Sequence, residues 1–381
     1  MTDAKVIAGL TEAPPMKITV RLRLKDKHGP DLCRQARAVN FVWNYVNETQ
    51  RKAARDGRKW LSNFDLQRLT AGSSKMLGVH SCSIHQVCTL YDRSRVQRKL
   101  PWLRWRSRRS LGWVPFKTDY ARFDGVAIIF NGKPYEPMHL RDVLLAGQRI
   151  YSGSFSQDAR GRWYINLVIE RKVAPPSDRP AVGIDLGLKT LVALSDGGAI
   201  EAPRIFRASE FALATAQRAR KSARRRAISS KITNRRMDFL HKASHDLATK
   251  YALIAIGDVS ASKLARTTRA KSVYDAGWST LKRMISYKAI MHGGRMIEVS
   301  EAYSSQTCSE CGSLPPSRPR GIAGIGIREW RCDDCGTVHD RDVNAARNIL
   351  RLGHQALAEG AAIARRCQLL NEDLPNPGAQ P

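Results

Sequence analysis

The alternation of apolar and polar residues in the first part of the chain predicts strands on both sides of a group of helices. Residues 16–24 alternate strictly, which indicates a strand with one buried face and one basic face. From residue 32 to about residue 50 the apolar positions recur at helical spacing, and further helices are expected over residues 62–98. Short strands are expected at residues 126–130 and 163–169.

The second part of the chain predicts a sheet whose strands alternate with helices. The proline-rich residues 173–180 are interpreted as a linker, because proline continues neither a helix nor a strand. A helix is expected at residues 237–251, and another begins at Asp342. The expected strands are residues 182–186, 191–195, 252–256 and 295–301. This order favours a mixed α/β fold.

The net charge of the chain favours nucleic acid as its binding partner. Its 381 residues contain 64 Lys and Arg against 34 Asp and Glu, a formal net charge of +30. Such a protein is best understood with a polyanion bound, and nucleic acid is the first candidate. No run of about 18 uncharged apolar residues indicates a membrane span, and the N-terminus lacks an apolar signal segment. We therefore expect a protein of the cytoplasm, associated with the nucleoid when bound to DNA, and no membrane partner.

Two basic segments are the candidate nucleic-acid surfaces. In residues 101–117 four aromatic residues are interleaved with cations, which suits base stacking combined with phosphate contact, although half-buried tryptophans on a basic strand would look the same. Residues 211–237 contain no acid, and phosphate contact there competes with the interpretation as a solvated helix face. The predicted nucleic-acid-binding residues are Arg104, Arg106, Lys117, Arg218, Arg224, Arg225 and Lys231.

Four cysteines carry the clearest metal signal. They form two C-x-x-C pairs separated by 20 residues, and each pair can place two thiolates on one ion. This spacing predicts a closed, structural zinc ribbon with Cys308, Cys311, Cys332 and Cys335 as ligands.

Acidic residues stand at both ends of the second part of the chain. Asp185 lies within an apolar run, where a lone carboxylate is costly unless a metal or a donor satisfies it, so a functional role is favoured over a structural one. A buried strand with one aspartate and a hairpin partner is how the ribonuclease H type of fold begins. Asp342 follows the cysteines.

These motifs resemble the TnpB family, the RNA-guided nucleases of insertion sequences that are related to type V CRISPR effectors. The resemblance is specific over residues 182–350 and looser over residues 16–171. Its motifs are residues 183–187, 304–312, 332–336 and 339–346. The resemblance implies a RuvC-type nuclease domain with an inserted zinc ribbon, a bound guide RNA, and two catalytic Mg²⁺ ions that hydrolyse target DNA. Asp185 matches the first catalytic position of the family and Asp342 the third.

The second catalytic position departs from the family. Where the family usually has a glutamate, this chain has Gly257, which cannot bind a metal. Glu301 is the preferred substitute, because it is expected to end the next strand at the same edge of the sheet. Asp258 and the absence of any third carboxylate are the alternatives. The predicted magnesium ligands and catalytic residues are thus Asp185, Glu301 and Asp342.

The resemblance also implies an arrangement of domains. We expect an α/β protein with a ribonuclease H-like RuvC domain, an inserted zinc ribbon, and an N-terminal β-barrel-like wedge that carries a helical recognition insertion. The expected boundaries are 1–33 and 101–178 for the wedge with its linker, 34–100 for the recognition region, 179–305 and 339–360 for the nuclease, 306–338 for the ribbon and 361–381 for a tail. A cleavage-deficient RNA-guided DNA-binding regulator is the main alternative function, and a strand-transferring transposase is a weaker one.

Overall fold

The computed structural model separates the chain into two compact units, Pro15–Arg171 and the described residues from Lys172 onward. Beyond residue 360 the structure describes the course of the last helix but not its side chains. The described residues are 15–117, 120–140, 144–259, 276–320 and 323–372.

The first unit combines antiparallel strands with helices inserted between its first two strands. The strands are β1 (Met16–Arg23), β2 (Trp113–Lys117), β3 (Ala121–Phe123), β4 (Ile128–Phe130), β5 (Lys133–Tyr135), β6 (Ile150–Gln157) and β7 (Trp163–Arg171). The helices are α1 (Gly29–Arg55), α2 (Asn63–Leu69), α3 (Ser73–Leu77) and α4 (Ser81–Arg98), with a short 3-10 helix at Asp26–His28. One sheet has the order β1-β7-β6-β2 and the other the order β3-β4-β5.

Sequence patterns account for these elements. The strictly alternating residues of β1 bury Val20 and Leu22, as a strand with one covered face requires. Helix α2 begins after Ser62, whose hydroxyl accepts a hydrogen bond from the backbone N–H of Asp65, while the Asp65 carboxylate accepts one from the N–H of Ser62. This capping box satisfies two backbone donors at the helix start. The expected helices and strands of this part are confirmed.

The second unit is built on a five-stranded sheet. Its elements are β8 (Ala181–Leu186), β9 (Thr190–Leu194), β10 (Ala199–Glu201), α5 (Ile205–Arg218), α6 (Ser222–Lys250), β11 (Leu253–Gly257), α7 (Trp278–Met291), β12 (Arg295–Val299), a 3-10 helix at Ala323–Gly326, β13 (Glu329–Arg331), β14 (Val338–Asp340) and α8 (Arg341–Glu372). The strand order is β10-β9-β8-β11-β12. Strands β8, β11 and β12 are parallel, so their carboxyl ends lie at one edge of the sheet. The mixed α/β class is confirmed.

Helix α8 packs unusually close to the sheet because two glycines make room for it. A side chain at Gly183 on β8 would collide with the backbone oxygen of Ala346 and come within 2.7 Å of the backbone nitrogen of Leu350. A side chain at Gly353 would lie 2.6 Å from the Cβ atom of Ala255 on β11. Small residues on the strand and on the helix therefore set the height at which α8 crosses the two central strands.

Two boundaries differ from the sequence prediction. The strand expected over residues 295–301 ends at Val299, because the backbone N–H of Glu301 donates to the side chain of Asp258 (3.1 Å) and a turn follows. The helix expected at residues 237–251 begins earlier, at Ser222, so α6 contains the second part of the basic acid-free run, and α5 contains the first part. No described helix has an apolar stretch long enough to cross a membrane.

Candidate active site

Asp185 and Asp342 meet because α8 crosses β8. Gly183 lies against Ala346 at the crossing, and Asp185 stands two residues farther along the same face of the strand. Asp342 precedes Ala346 by about one helical turn, so the helix brings it toward Asp185. Both residues line one cleft of about 490 Å³.

Two aspartates at the start of α8, Asp340 and Asp342, have different hydrogen-bond partners. The carboxylate of Asp340 accepts hydrogen bonds from the backbone N–H groups of Asp342 and Val343, both at 2.9 Å, and so caps the helix. The side chain of Asp342 does not cap the helix and instead lines the cleft. Its Oδ2 atom accepts a hydrogen bond from Nη1 of Arg328 at 2.7 Å. The repeated acids of the sequence around residue 340 thus have two different roles.

Glu301 occupies the space beside Gly257. A Cβ atom built on Gly257 would lie 3.1 Å from both the Cβ and the Oε2 atoms of Glu301. It would also lie 3.3 Å from Ile349 of α8. The carboxylate of Glu301 therefore stands where a side chain at residue 257 would begin, and it lines the same cleft as Asp185 and Asp342.

Asp258 stabilises the position of Glu301 through two hydrogen bonds. Its backbone N–H donates to the carbonyl of Val299 at 2.8 Å, which continues the pairing of the two strands by one residue. Its Oδ1 atom accepts the hydrogen bond from the backbone of Glu301. Asp258 does not belong to the described lining of the cleft. It holds the turn that aims Glu301.

The pKa values of Asp185 and Glu301 are raised above their usual range. Burial raises the pKa of Asp185 to about 7, and the negative charges of Asp342 and Glu301 add to this effect. Burial also raises the pKa of Glu301, with a further contribution from Asp258. Such a cluster gains from a bound cation, and carboxylate oxygens are the ligands that Mg²⁺ prefers. The donor set therefore fits divalent ions.

The cysteines form a compact, symmetric group. Cys308 and Cys332 each accept a hydrogen bond through the backbone carbonyl from a glycine four residues later, at 2.9 Å, which makes two equivalent turns. The Sγ atoms of Cys308 and Cys335 are 3.6 Å apart, and those of Cys311 and Cys332 are 3.8 Å apart. A tetrahedron with metal–sulfur bonds of about 2.3 Å has edges of about 3.8 Å, so the group has the size of a zinc site.

No other group in the described part of the chain gathers three or more metal-ligating side chains with all ligand atoms within 4.8 Å of one another. Asp185, Glu301 and Asp342 share a cleft without reaching that spacing. This is compatible with ligands distributed over two ions, and it coincides with the engagement of Asp342 by Arg328.

Two buried asparagines join the cysteine group to the cleft. Asn344 and Asn348, one turn apart on α8, both donate to the carbonyl of Thr307, at 2.8 and 2.7 Å, and both also donate to that of Ser304. The side chain of Asn344 additionally accepts from the backbone of Ser309. The segment from Glu301 to the first cysteine is thus tied to the helix that carries Asp342. Sequence reasoning missed these amides, although their i,i+4 spacing among apolar residues was a usable signal.

A second cavity adjoins the cleft. It measures about 480 Å³, and the two share Leu188 and Lys189. Arg204 and Arg207 also line it. A row of cations therefore leads away from the carboxylates, and sequence reasoning did not single these residues out.

The predicted nucleic-acid-binding residues fall in different settings. Arg104 and Lys117 are exposed in the first unit, whereas the guanidinium of Arg106 is half-buried and hydrogen-bonded to Asn40 and to the carbonyl of Leu111. The other four are exposed at the end of α5 or on the first half of α6. These four are Arg218, Arg224, Arg225 and Lys231.

Comparisons with known proteins agree with one another. A family model described as "Cas12f1-like, TNB domain" matches residues 278–349, and one described as "Probable transposase" matches residues 164–268. A Streptomyces pristinaespiralis protein named "Putative RNA-guided DNA endonuclease" is 38% identical over 248 residues, which cover 61% of this chain and 60% of that protein. The Escherichia coli (strain K12) protein of the same description, InsQ, is 33% identical over 53% of this chain and 57% of its own length.

The chain thus spans about three fifths of the length of these curated relatives. A solved Cas12f1 chain, from a complex with sgRNA and target DNA, superposes with a TM-score of 0.56 at 11% identity, covering 88% of this chain and 98% of that one. This likeness concerns the fold. Together with the matched motifs, the findings confirm that this chain resembles the TnpB family and the related type V CRISPR effectors.

Proposed function

We propose that this protein is an RNA-guided DNA endonuclease that hydrolyses phosphodiester bonds in a RuvC-like site formed by Asp185, Glu301 and Asp342. One observation carries the proposal. The carboxylate of Glu301 lies beside Gly257, in the cleft that Asp185 and Asp342 line. A glutamate from the next strand end thus supplies the acid that residue 257 lacks.

The chemistry follows from the side chains present. Asp185, Glu301 and Asp342 would hold two Mg²⁺ ions, which when bound activate the attacking water and stabilise the leaving oxygen. Arg328 keeps Asp342 in place through its ion pair and would be displaced or shared when a cation arrives. Arg341 and Lys189 line the cleft as well and would contact the phosphate that is cut.

The basic surfaces support the nucleic-acid partners. A guide RNA paired with target DNA exposes its phosphates to the protein, and sequence choice then belongs to base pairing. The exposed arginines of α6 suit that role because no acid lies between residues 211 and 237. The cavity lined by Lys189, Arg204 and Arg207 would hold the part of the DNA strand that extends beyond the carboxylate site.

We further propose that the cysteine group holds a structural zinc ion. Four thiolates close the coordination shell and leave no position for a substrate. Its function is to fix the segment that precedes it, which the side chains of Asn344 and Asn348 bind.

The decisive test is a cleavage assay with the native guide. The protein is copurified with its RNA, the RNA is sequenced, and the complex is challenged with matching DNA flanked by a randomised library in the presence of Mg²⁺. We expect cuts in a subset of flanks, and no cuts by the isosteric Asp185→Asn variant, which keeps DNA binding. Protection of the target by the wild type without scission, in both Mg²⁺ and Mn²⁺, would instead establish a cleavage-deficient regulator.

The pH dependence of the Mg²⁺ requirement tests the carboxylate cluster. The pKa of Asp185 is raised to about 7, so the protonated form dominates below that pH and competes with the cation. We expect the Mg²⁺ concentration for half-maximal cleavage to fall roughly tenfold per pH unit as the pH rises towards 7, and to level off above it. DNA binding by the Asp185→Asn variant at each pH is the control. A requirement that stays constant across this range would contradict the assignment of Asp185 as a ligand.

A further inference from the structure

The segment between α4 and β2 has no regular structure of its own, yet α1 holds it rigidly. The side-chain amide of Asn47 donates to the carbonyl of Leu103 and accepts from its N–H, both at 2.8 Å. Asn44 does the same to Arg106, at 2.8 and 2.9 Å. Each asparagine thus pairs with a backbone residue as a neighbouring strand would. Trp43 adds a hydrogen bond from Nε1 to the carbonyl of Arg104 at 3.1 Å.

This clamp separates an inner row of side chains from an outer one. Leu103 is buried, and the guanidinium of Arg106 lies 6.0 and 5.5 Å from the rings of Trp43 and Trp113. Arg106 therefore braces the segment from within. On the outside, Trp102 and Trp105 remain 41% and 42% exposed, with Arg104 between them. Two large aromatic side chains held half in solvent on a fixed backbone need a physical account.

Two clefts flank the outer row. One measures about 560 Å³ and the other about 760 Å³, within the range of ligand pockets. Both are lined by Leu103, Arg104 and Trp105, so Trp105 lies between the two clefts, whereas Trp102 lines only the smaller one. The larger cleft also contains Arg98 and Arg109. No acidic side chain is found among the described residues that line either cleft.

We propose that these clefts bind an unpaired nucleotide, with its base stacked on Trp105 and its flanking phosphates held by Arg98, Arg104 and Arg109. An indole face suits any base, and arginines at its sides suit the phosphates. The clamp by α1 means that little conformational freedom is lost on binding. A duplex backbone would use the charges but not the exposed rings, which is why we assign the site to a single-stranded or extruded base. The inference rests on the proposed function only in so far as the protein binds nucleic acid.

Binding by the full-length chain tests the site. The probes are a 12-nucleotide single strand of RNA, the same sequence as DNA, and a blunt duplex, each labelled for fluorescence anisotropy at one salt concentration. We expect Trp105→Ala to weaken single-strand binding roughly 5- to 100-fold. Trp105→Phe should recover most of the loss, and duplex affinity should change less than about twofold. The strand that shows the larger loss, RNA or DNA, identifies the source of the base.

Trp60 provides a matched control. It is 46% exposed in the same unit, with the guanidinium of Arg95 4.6 Å from its ring, but it lines neither cleft. Trp60→Ala should leave every affinity unchanged. Equal affinities for the Trp60→Ala and Trp105→Ala variants would overturn the proposal, as would equal losses of single-strand and duplex binding by Trp105→Ala.

Cross-linking of the wild type makes the test independent of any folding defect in a variant. With 5-iodouridine in the single strand, irradiation should attach the nucleotide to the peptide that contains Trp102 and Trp105. Adducts found exclusively on other peptides would overturn the site. A chain that forms this adduct but cuts no DNA would contradict the proposed nuclease and leave the nucleotide site intact. A chain that cuts DNA without Trp105-dependent binding would do the reverse.

Discussion

We expect Gly257→Glu alone and Glu301→Gly alone each to abolish DNA cleavage, and the double variant to restore it. A Cβ atom at residue 257 would lie 3.1 Å from both Cβ and Oε2 of Glu301, closer than most side-chain contacts, and the rest of a glutamate there would compete with Glu301 for the same space. Gly257→Glu therefore displaces Glu301, and Glu301→Gly removes the acid. With both changes, the carboxylate returns to the strand end where the family usually carries it.

The magnitudes separate this pattern from ordinary destabilisation. Loss of a metal-binding carboxylate should lower the cleavage rate on the order of a thousandfold, since such ligands contribute several kcal/mol to transition-state stabilisation. The double variant should recover to within roughly tenfold of the wild-type rate, a sign reversal that independent defects cannot produce. Rates are measured in single turnover with saturating complex.

Glu298 is the matched control for this experiment. It lies on β12, three residues before Glu301, is exposed, and pairs with Lys282 at 2.6 Å outside the cleft. Glu298→Gln should cut at the wild-type rate. A wild-type rate for Glu301→Gly would remove Glu301 from the mechanism. A folded double variant that stays inactive would show that residues 257 and 301 do not supply equivalent positions.

The second large effect concerns the cysteines. We expect Cys332→Ser to lower the zinc content from one ion per chain to nearly none and to reduce cleavage by roughly 100-fold or more. Without the ion the ribbon loses its fold, and the carbonyls of Ser304 and Thr307 lose their fixed positions against Asn348. Glu301 precedes that segment directly, and a displacement of about 1 Å at a catalytic group is enough for such a loss.

Zinc is measured by elemental analysis of the purified chain, and cleavage is measured in the same preparation. Cys33→Ser is the control, because this half-buried thiol lies in the first unit and outside the metal group. It should retain both zinc and activity. Full cleavage by a zinc-free Cys332→Ser protein would show that the ribbon does not position Glu301.

The apolar runs of the sequence predict the strands of the sheet. Because parallel strands end at one edge, they also predict that Glu301 lies near Asp185. The runs around Asp185 and Gly257 could be assigned as buried strands because each is short, apolar and bounded by glycine or proline. Parallel strands place their carboxyl ends together, and Glu301 accordingly lines the same cleft as Asp185. The start of a helix at Asp342 followed from the apolar spacing after it.

Other features could not be predicted from the same patterns. Interleaved tryptophans and arginines do not reveal which side of an irregular segment faces inward, so Arg106 was grouped with Arg104 although it is turned towards Trp43. The turn that ends β12 at Val299 depends on the side chain of Asp258, a contact between residues 43 positions apart. Periodicity carries no information about such long-range hydrogen bonds.

The vacant side-chain position at Gly257 has a consequence for how relatives of this protein are sorted. A survey that separates active from inactive members by the acid aligned with Gly257 would count this chain as inactive. In the proposed site the acid comes from Glu301, 44 positions later, whose side chain lies 3.1 Å from where a Cβ atom of residue 257 would stand. A three-dimensional criterion, asking which carboxylate reaches the floor of the cleft, would classify such chains by the chemistry they retain.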